Sequence, residues 1–226
     1  LAQHPGSHSR WDPAGVAAWM LRKPLVIHEQ NAVAGTTNRL LAPLASCVFA
    51  GFPGAFDNNI HYTVLGNPVR RELLEARADR LYDYAGQRPV RLLVVGGSLG
   101  ARPINDVIPG AIKRLIEGGN TSIEVWHQTG EGHDDVVRQA YGALLDRGIR
   151  VAPYIEDMAE AYSWADLVLC RCGALTITEL CIIGRPAILV PLPHAIDDHQ
   201  TANARVLTDC GGATQLCQRD MDEHSV

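Results

Sequence analysis

No apolar run in the 226-residue chain approaches the ~18 residues a membrane-crossing helix needs, and no basic-then-apolar leader opens it. A helical membrane span and a secretory signal within these residues are excluded. Six cysteines occur, none in a Cys-x-x-Cys pair, which fits a reducing, cytosolic compartment better than a disulfide framework. Charge is modest at 20%, and 20 Lys+Arg against 25 Asp+Glu leave a net −5, which argues against a general nucleic-acid binder. Internal repeats and low-complexity segments are absent. What is there is an ordinary globular balance, 46% hydrophobic, in a length that allows one domain plus part of another. The chain opens at Leu1 and stops in the polar run Asp222–Val226, so it reads as a piece of a longer protein.

Short apolar runs at 25–28, 47–51, 62–65, 90–95, 122–127, 150–153, 166–170 and 187–190 predict strands. Several are uniformly apolar, as strands covered on both faces are. Helices are expected at 36–45, 70–79, 101–117, 134–147, 157–164, 175–183 and 198–208. Strand and helix taking turns predicts an α/β fold with parallel, doubly wound sheets. Gly66-Asn67-Pro68 and the polar stretch 79–89 interrupt the alternation, so a domain boundary is expected near residue 68.

In such sheets ligands lie at the carboxyl ends of the strands. Gly96-Gly97-Ser98-Leu99-Gly100 follows the strand at 90–95. Its glycines let backbone amides approach an anion, although a tight turn without a ligand would have the same composition. Cys170-Arg171-Cys172-Gly173-Ala174 makes a second such turn, running into a helix with Thr176, Thr178 and Glu179. Two helix-start turns in one domain favour a diphosphate ligand, with Glu179 placed to accept two ribose hydroxyls or simply to face solvent. A nicotinamide dinucleotide is disfavoured, because the glycines fall as Gly-Gly-x-x-Gly and the next strand ends in His-Gln-Thr-Gly without an acid. Asp197-Asp198-His199 lacks a third metal ligand with helpful spacing, so Asp198 is expected to cap a helix. No Gly-x-Ser-x-Gly elbow and no hydrolase carboxylate pair is evident. His28-Glu29-Gln30-Asn31 crowds four polar residues at a strand end, which suits a sugar or a cleft. Arg70 stands near the boundary, able to neutralise a leaving diphosphate.

The strings HEQNAVAGTTNRLLA from His28, FPGAF from Phe52, GNPVR from Gly66 and LLVVGGSLGAR from Leu92 resemble the MurG family. WHQTG from Trp126, ADLVLCRCGALTITEL from Ala165 and DDHQTANA from Asp197 continue the resemblance in order. These are the bacterial UDP-N-acetylglucosamine–lipid I N-acetylglucosaminyltransferases. The resemblance implies a GT-B fold of two Rossmann-like domains, the first only partly present. Residues 1–68 would be the end of the N-terminal, acceptor and membrane domain, and 69–226 most of the UDP-GlcNAc domain. It implies inverting transfer of N-acetylglucosamine to lipid I (the undecaprenyl-diphosphate-linked muramoyl pentapeptide), giving lipid II, without a cofactor or metal.

By the same resemblance the donor contacts fall on Asn31, Arg70, Ser98, Ile155, Ala174, Leu175, Thr176, Ile177, Thr178, Glu179 and Gln200. Glu179 would hold the ribose, Ile155 would offer backbone groups to uracil, and Ser98 and Arg70 would serve the diphosphate. Asn31 and Gln200 would face the sugar. The family's glycine-rich loop with its histidine is not in this sequence, which leaves Glu29 and His28 as the titratable candidates for the base. Residues 1–13 depart from the expected acceptor loop, and Cys172 stands where serine is usual. The alternative to an active transferase is therefore a UDP-sugar-binding piece without catalysis. A lipid-borne acceptor also implies a peripheral position at the cytoplasmic face of the inner membrane. Trp19-Met20-Leu21 followed by Arg22-Lys23 suits an anionic interface, or equally a core helix end.

Overall fold

The structure, a computed structural model, describes residues 13–78, 84–97, 100–119, 122–193 and 198–225. Helix α1 (Pro13–Met20) leads into β1 (Val26–Glu29), α2 (Thr36–Leu41), β2 (Cys47–Ala50) and β3 (Thr63–Val64). The three strands form a parallel sheet in chain order. The helix expected over 36–45 tightens after Leu41 into a 3-10 turn, Ala42–Leu44, where Pro43 cannot donate to an α-helical ladder. Ala34, Val48, Ala50, Ala55 and Phe56 make the small core of this half.

After the Gly66-Asn67-Pro68 break, α3 (Arg71–Ala78) turns to new partners, and its buried Leu73 joins the core of the second half. That half runs β4 (Val90–Val95), α4 (Arg102–Glu117), β5 (Ile123–Gln128), α5 (Asp134–Tyr141), β6 (Ile149–Ala152) and α6 (Met158–Trp164). It continues with β7 (Leu167–Cys170), α7 (Ala174–Ile183), β8 (Ala187–Leu189), α8 (His199–Thr208) and β9 (Ala213–Gln215). The sheet order is β6-β5-β4-β7-β8-β9, parallel throughout. Relabelled from its first strand, this is the 3-2-1-4-5-6 order of dinucleotide-binding sheets.

Alternate residues of β4 go to opposite cores: Leu93 and Val95 join α6 and α7, Leu92 and Val94 join α4 and α5. Both faces are covered, which is why this strand shows no polar alternation. Each such fully buried side chain contributes about 1.5–3 kcal/mol. At the other end of the strands the Arg88 guanidinium donates to both Asp166 carboxylate oxygens, and the Arg91 amide donates to Oδ2 at 2.9 Å. Burial alone would raise the Asp166 carboxyl, but these donors outweigh it and hold it below the usual carboxylate range.

All eight predicted strands are present. The edge strand β9, whose Ala-Thr-Gln carries no apolar run, and the 3-10 turn Gln218–Asp220 have no counterpart among the expected elements, and α1 has one only in the helix end allowed at Trp19–Leu21. The helix expected over 134–147 ends at Tyr141 and continues as a 3-10 turn from Gly142, whose φ of 54° breaks the α-helix. Asp198 does stand at the N-cap of α8, but in a left-handed conformation and without a side-chain capping bond, contrary to the expected cap.

Candidate functional site

The order in which strands are added to the second sheet reverses between the parallel neighbours β4 and β7, and the crevice outside their carboxyl ends is where such sheets take ligands. The two turns singled out in the sequence flank it. Gly96 continues β4, its amide donating to the Gln128 carbonyl at 3.1 Å. Gly100 has φ +73°, and a Cβ there would lie 2.4 Å from the Thr129 carbonyl oxygen, so no larger residue fits without moving the backbone. Ser98 lies outside the described residues, as do Leu99 and 194–197.

Beneath this turn sits a buried polar triad. His127 Nδ1 meets the Tyr141 hydroxyl at 3.0 Å and Nε2 meets Asn105 Oδ1 at 3.1 Å, while Asn105 donates to the Thr129 carbonyl. Asn105 Oδ1 can only accept, so Nε2 carries the proton. Burial pushes the His127 imidazole down to about 3, which keeps it neutral, and pushes the Tyr141 phenol up. The triad fixes the end of β5 against α4 and thereby shapes the floor of the turn.

At the second turn Gly173 is the N-cap of α7 and supplies no side-chain cap, so the first amides of a ten-residue helix keep their donor capacity. Ala174 and Ile177 are buried, while Leu175, Thr176, Thr178 and Glu179 are partly exposed along the helix start. Glu179 Oε2 accepts from the Tyr162 hydroxyl at 3.0 Å, and Arg70 Nη2 lies 3.4 Å from Oε1. Burial first, and then the Glu179 charge, raise the Tyr162 phenol well above its ordinary value, so it stays a donor. The Arg70–Glu179 contact is half exposed on the arginine side and is of the kind that contributes little and exchanges readily. Ile155, in the loop after β6, buries its side chain among core residues.

Cys172 is fully buried in this turn, and burial raises its thiol to about 12, with Arg171 opposing, so it is neutral and inert. Gln200 Oε1 accepts from the Cys172 amide at 3.3 Å and the Leu192 amide at 2.9 Å, joining the turns after β7 and β8. Arg171 points its guanidinium at the Val190 and Pro191 carbonyls and at Gln218.

The loop after β1 faces the same crevice from the first half. Glu29 is buried and accepts four hydrogen bonds: Asn31 N–H and Nδ2 on Oε1, Gly35 N–H and Asn38 Nδ2 on Oε2. A carboxylate offers about four lone-pair sites, and all are taken. Glu29 therefore anchors the loop, with both of its carboxylate oxygens engaged. His28 donates Nε2–H to the Gly66 carbonyl at 3.0 Å, leaving only Nδ1 to accept a proton.

Two asparagines that the sequence reading did not name as site residues join the halves. Asn67 Nδ2 donates to the Gln30 carbonyl and to Thr178 Oγ1, at 3.0 and 2.9 Å. Gly51 makes room for it, since a Cβ there would fall 2.1 Å from Asn67 Oδ1. Asn203, fully buried, bonds Ala32, Asn31 and Cys172. Their only sequence signal was membership in the strings GNPVR and DDHQTANA. Among the described residues no three His, Cys, Asp or Glu converge on a metal position, and no helix is long and apolar enough to cross a membrane.

Residues 91–226 match the family model for the glycosyltransferase family 28 C-terminal domain, and residues 7–50 match that for its N-terminal domain. A Tolumonas auensis protein named UDP-N-acetylglucosamine–N-acetylmuramyl-(pentapeptide) pyrophosphoryl-undecaprenol N-acetylglucosamine transferase is 48% identical over 92% of this chain. A Cellvibrio japonicus protein of the same name is 52% identical over 92%. This chain spans 58% of the length of each. The crystal structure of Acinetobacter baumannii MurG superposes with a TM-score of 0.79 at 39% identity, over 97% of this chain and 60% of that one. The GT-B reading of the two parallel sheets stands on that match.

Proposed function

The chain belongs to the MurG family of glycosyltransferase family 28, and from that premise we propose that it takes part in moving N-acetylglucosamine from UDP to lipid I. We place the end of the acceptor domain at residues 1–68 and most of the UDP-GlcNAc domain at 69–226. The observation that carries this reading is the pair of amide-rich turns flanking the β4/β7 crevice, with the Glu179 carboxylate inside the first turns of α7. Uracil would lie against the backbone at Ile155, and Glu179, already aimed by Tyr162, would take the ribose hydroxyls. The start of α7, spanning Ala174 to Thr178, would meet the diphosphate together with Ser98.

As the sugar–oxygen bond breaks with inversion, negative charge grows on the leaving diphosphate. Preorganised amides at the helix start stabilise it where it develops. Arg70 completes the set: when ribose hydroxyls satisfy Glu179, its guanidinium is released toward the diphosphate. Asn31 and Gln200 would face the sugar. The acceptor hydroxyl needs a base within hydrogen-bond reach, and with Glu29 saturated only His28 Nδ1 remains of the two candidates.

Calorimetry with UDP tests the donor site: Glu179→Ala should weaken binding about tenfold or more, the loss of a charged hydrogen-bonding group. Equal affinities would remove the ribose assignment. Radiolabelled sugar transfer to a soluble lipid I analogue, run beside it, separates a transferase from a UDP-sugar-binding piece.

The acceptor is lipid-borne, so a membrane surface is the second partner, at the cytoplasmic leaflet. Trp19, Met20 and Leu21 are 53%, 71% and 70% exposed at the end of α1, directly before Arg22 and Lys23. Apolar side chains beside cations suit an anionic interface. Co-sedimentation with anionic vesicles should drop about tenfold in the Trp19→Ala, Arg22→Ala, Lys23→Ala variant. Unchanged sedimentation would reject the surface.

A further inference from the structure

Asn203 is fully buried, and each of its polar atoms is spoken for across the two halves. Its Oδ1 accepts the Ala32 amide at 2.8 Å, and its Nδ2 donates to Asn31 Oδ1 and to the Cys172 carbonyl, both at 3.1 Å. Ala32 N–H can only donate and the Cys172 carbonyl can only accept, so the orientation of the carboxamide is fixed by its partners. Gln200, one turn earlier on α8, holds the Cys172 amide. One face of α8 thus grips both backbone groups of Cys172, and Asn203 carries that grip on to the first half. From there Asn31 bonds Glu29, which bonds Gly35 and Asn38 at the start of α2.

We propose that Asn203 is a positioning residue that sets the first-half loop 31–38 in register with the turn after β7. Through it Asn31 is presented to whatever occupies the crevice, while Asn203 itself touches no ligand. The inference rests on the donor-site reading for its sugar consequence and on geometry alone for its loop consequence. Asparagine is the fitting residue because one acceptor and one donor group are needed at the same point. Alanine offers neither. Aspartate keeps the shape and the acceptor but faces two carbonyl oxygens with a second oxygen.

The test uses the chain as it stands, with hydrogen exchange and calorimetry on wild type, Asn203→Ala and Asn203→Asp. Amide protection over 31–38 should fall about tenfold or more in both variants, while β4 and β5 stay within about threefold. UDP affinity should stay within about threefold, and UDP-N-acetylglucosamine affinity should fall about tenfold. If Asn203→Asp behaves as wild type, packing and not hydrogen bonding is the role, and the proposal is overturned. Loss of protection spread through β4 and β5, or equal weakening of both nucleotides, overturns it as well. Asn31→Ser removes the two side-chain bonds of Asn31, to Asn203 and to Glu29, without a substitution in α8, and it should loosen the same loop even if α8 does not tolerate change. Should wild type bind neither nucleotide, the donor-site reading fails, and the exchange result alone still decides the loop claim.

Discussion

The two halves of the molecule are held together by different means. The second has six strands with helices on both faces and two extended cores; its turns are shaped by backbone bonds and a buried triad. The first has three short strands and a small alanine-rich core, and the loop it turns to the crevice is shaped by one carboxylate and two asparagines. Apolar area fixes the second half. Directional polar bonds, each contributing about 0.5–1.5 kcal/mol, fix the other. The contrast predicts that the second half resists local opening while the loop after β1 yields first.

The sharpest way to break this comparison is acid. His127 is neutral and buried in the folded state, with its imidazole lowered to about 3, whereas in the unfolded chain it takes a proton near 6.5. Its contribution is complete above pH 6.5 and is lost as pH falls toward 3, because the unfolded state then binds the extra proton. The slope is about 1.4 kcal/mol per pH unit across that window. Exchange at β4 and β5 should therefore accelerate as pH drops, once corrected for intrinsic rates. His127→Gln should flatten the slope at some loss of stability, and a slope that survives it would show that the triad is not the sensor.

Next in size is Gly100→Ala. Left-handed strain of roughly 1–2 kcal/mol adds to the clash with the Thr129 carbonyl, for about 2–4 kcal/mol in denaturant unfolding of the second half. UDP binding should fall with it. Normal stability with normal UDP affinity would mean that the turn is more plastic than its geometry implies.

The smallest effect is expected from Tyr162→Phe, which leaves the core shape intact and deprives Glu179 Oε2 of its donor. UDP affinity should drop about three- to tenfold by calorimetry, with thermal stability nearly unchanged. A larger loss of stability than of affinity would place Tyr162 with the core and not with the site.

How much of this was legible in the sequence follows from the range of the interactions. Runs such as Val90–Val95 announce themselves because burial on both faces is written in consecutive residues. The glycine turns were equally readable, since a positive φ beside a close carbonyl demands glycine locally. Asn203 was not, because its bonds to Asn31 and Ala32 span about 170 residues and leave no spacing to count. Tyr162 carries no signal of its own in the sequence, because its ring is core and only its hydroxyl reaches Glu179. Glu29 looked like a candidate base because a polar loop at a strand end has the same composition whether its carboxylate is free or filled. β9 stayed hidden because an edge strand can be held by backbone pairing alone, without apolar residues.

The pairing of β4 with β7 also governs when the site can exist. Arg91 and Asp166, which bond at the foot of these strands, are 75 residues apart, and every connection in this sheet is a crossover. During synthesis β4, α4, β5 and β6 can assemble as they emerge, but the crevice has only one wall until β7 is delivered. Closing so long a loop is entropically slow, and the Arg88–Asp166 fork is suited to latch it when it closes. The crevice is thus a late product of folding, and a ribosome-bound chain halted before residue 170 would have strands but not the second wall.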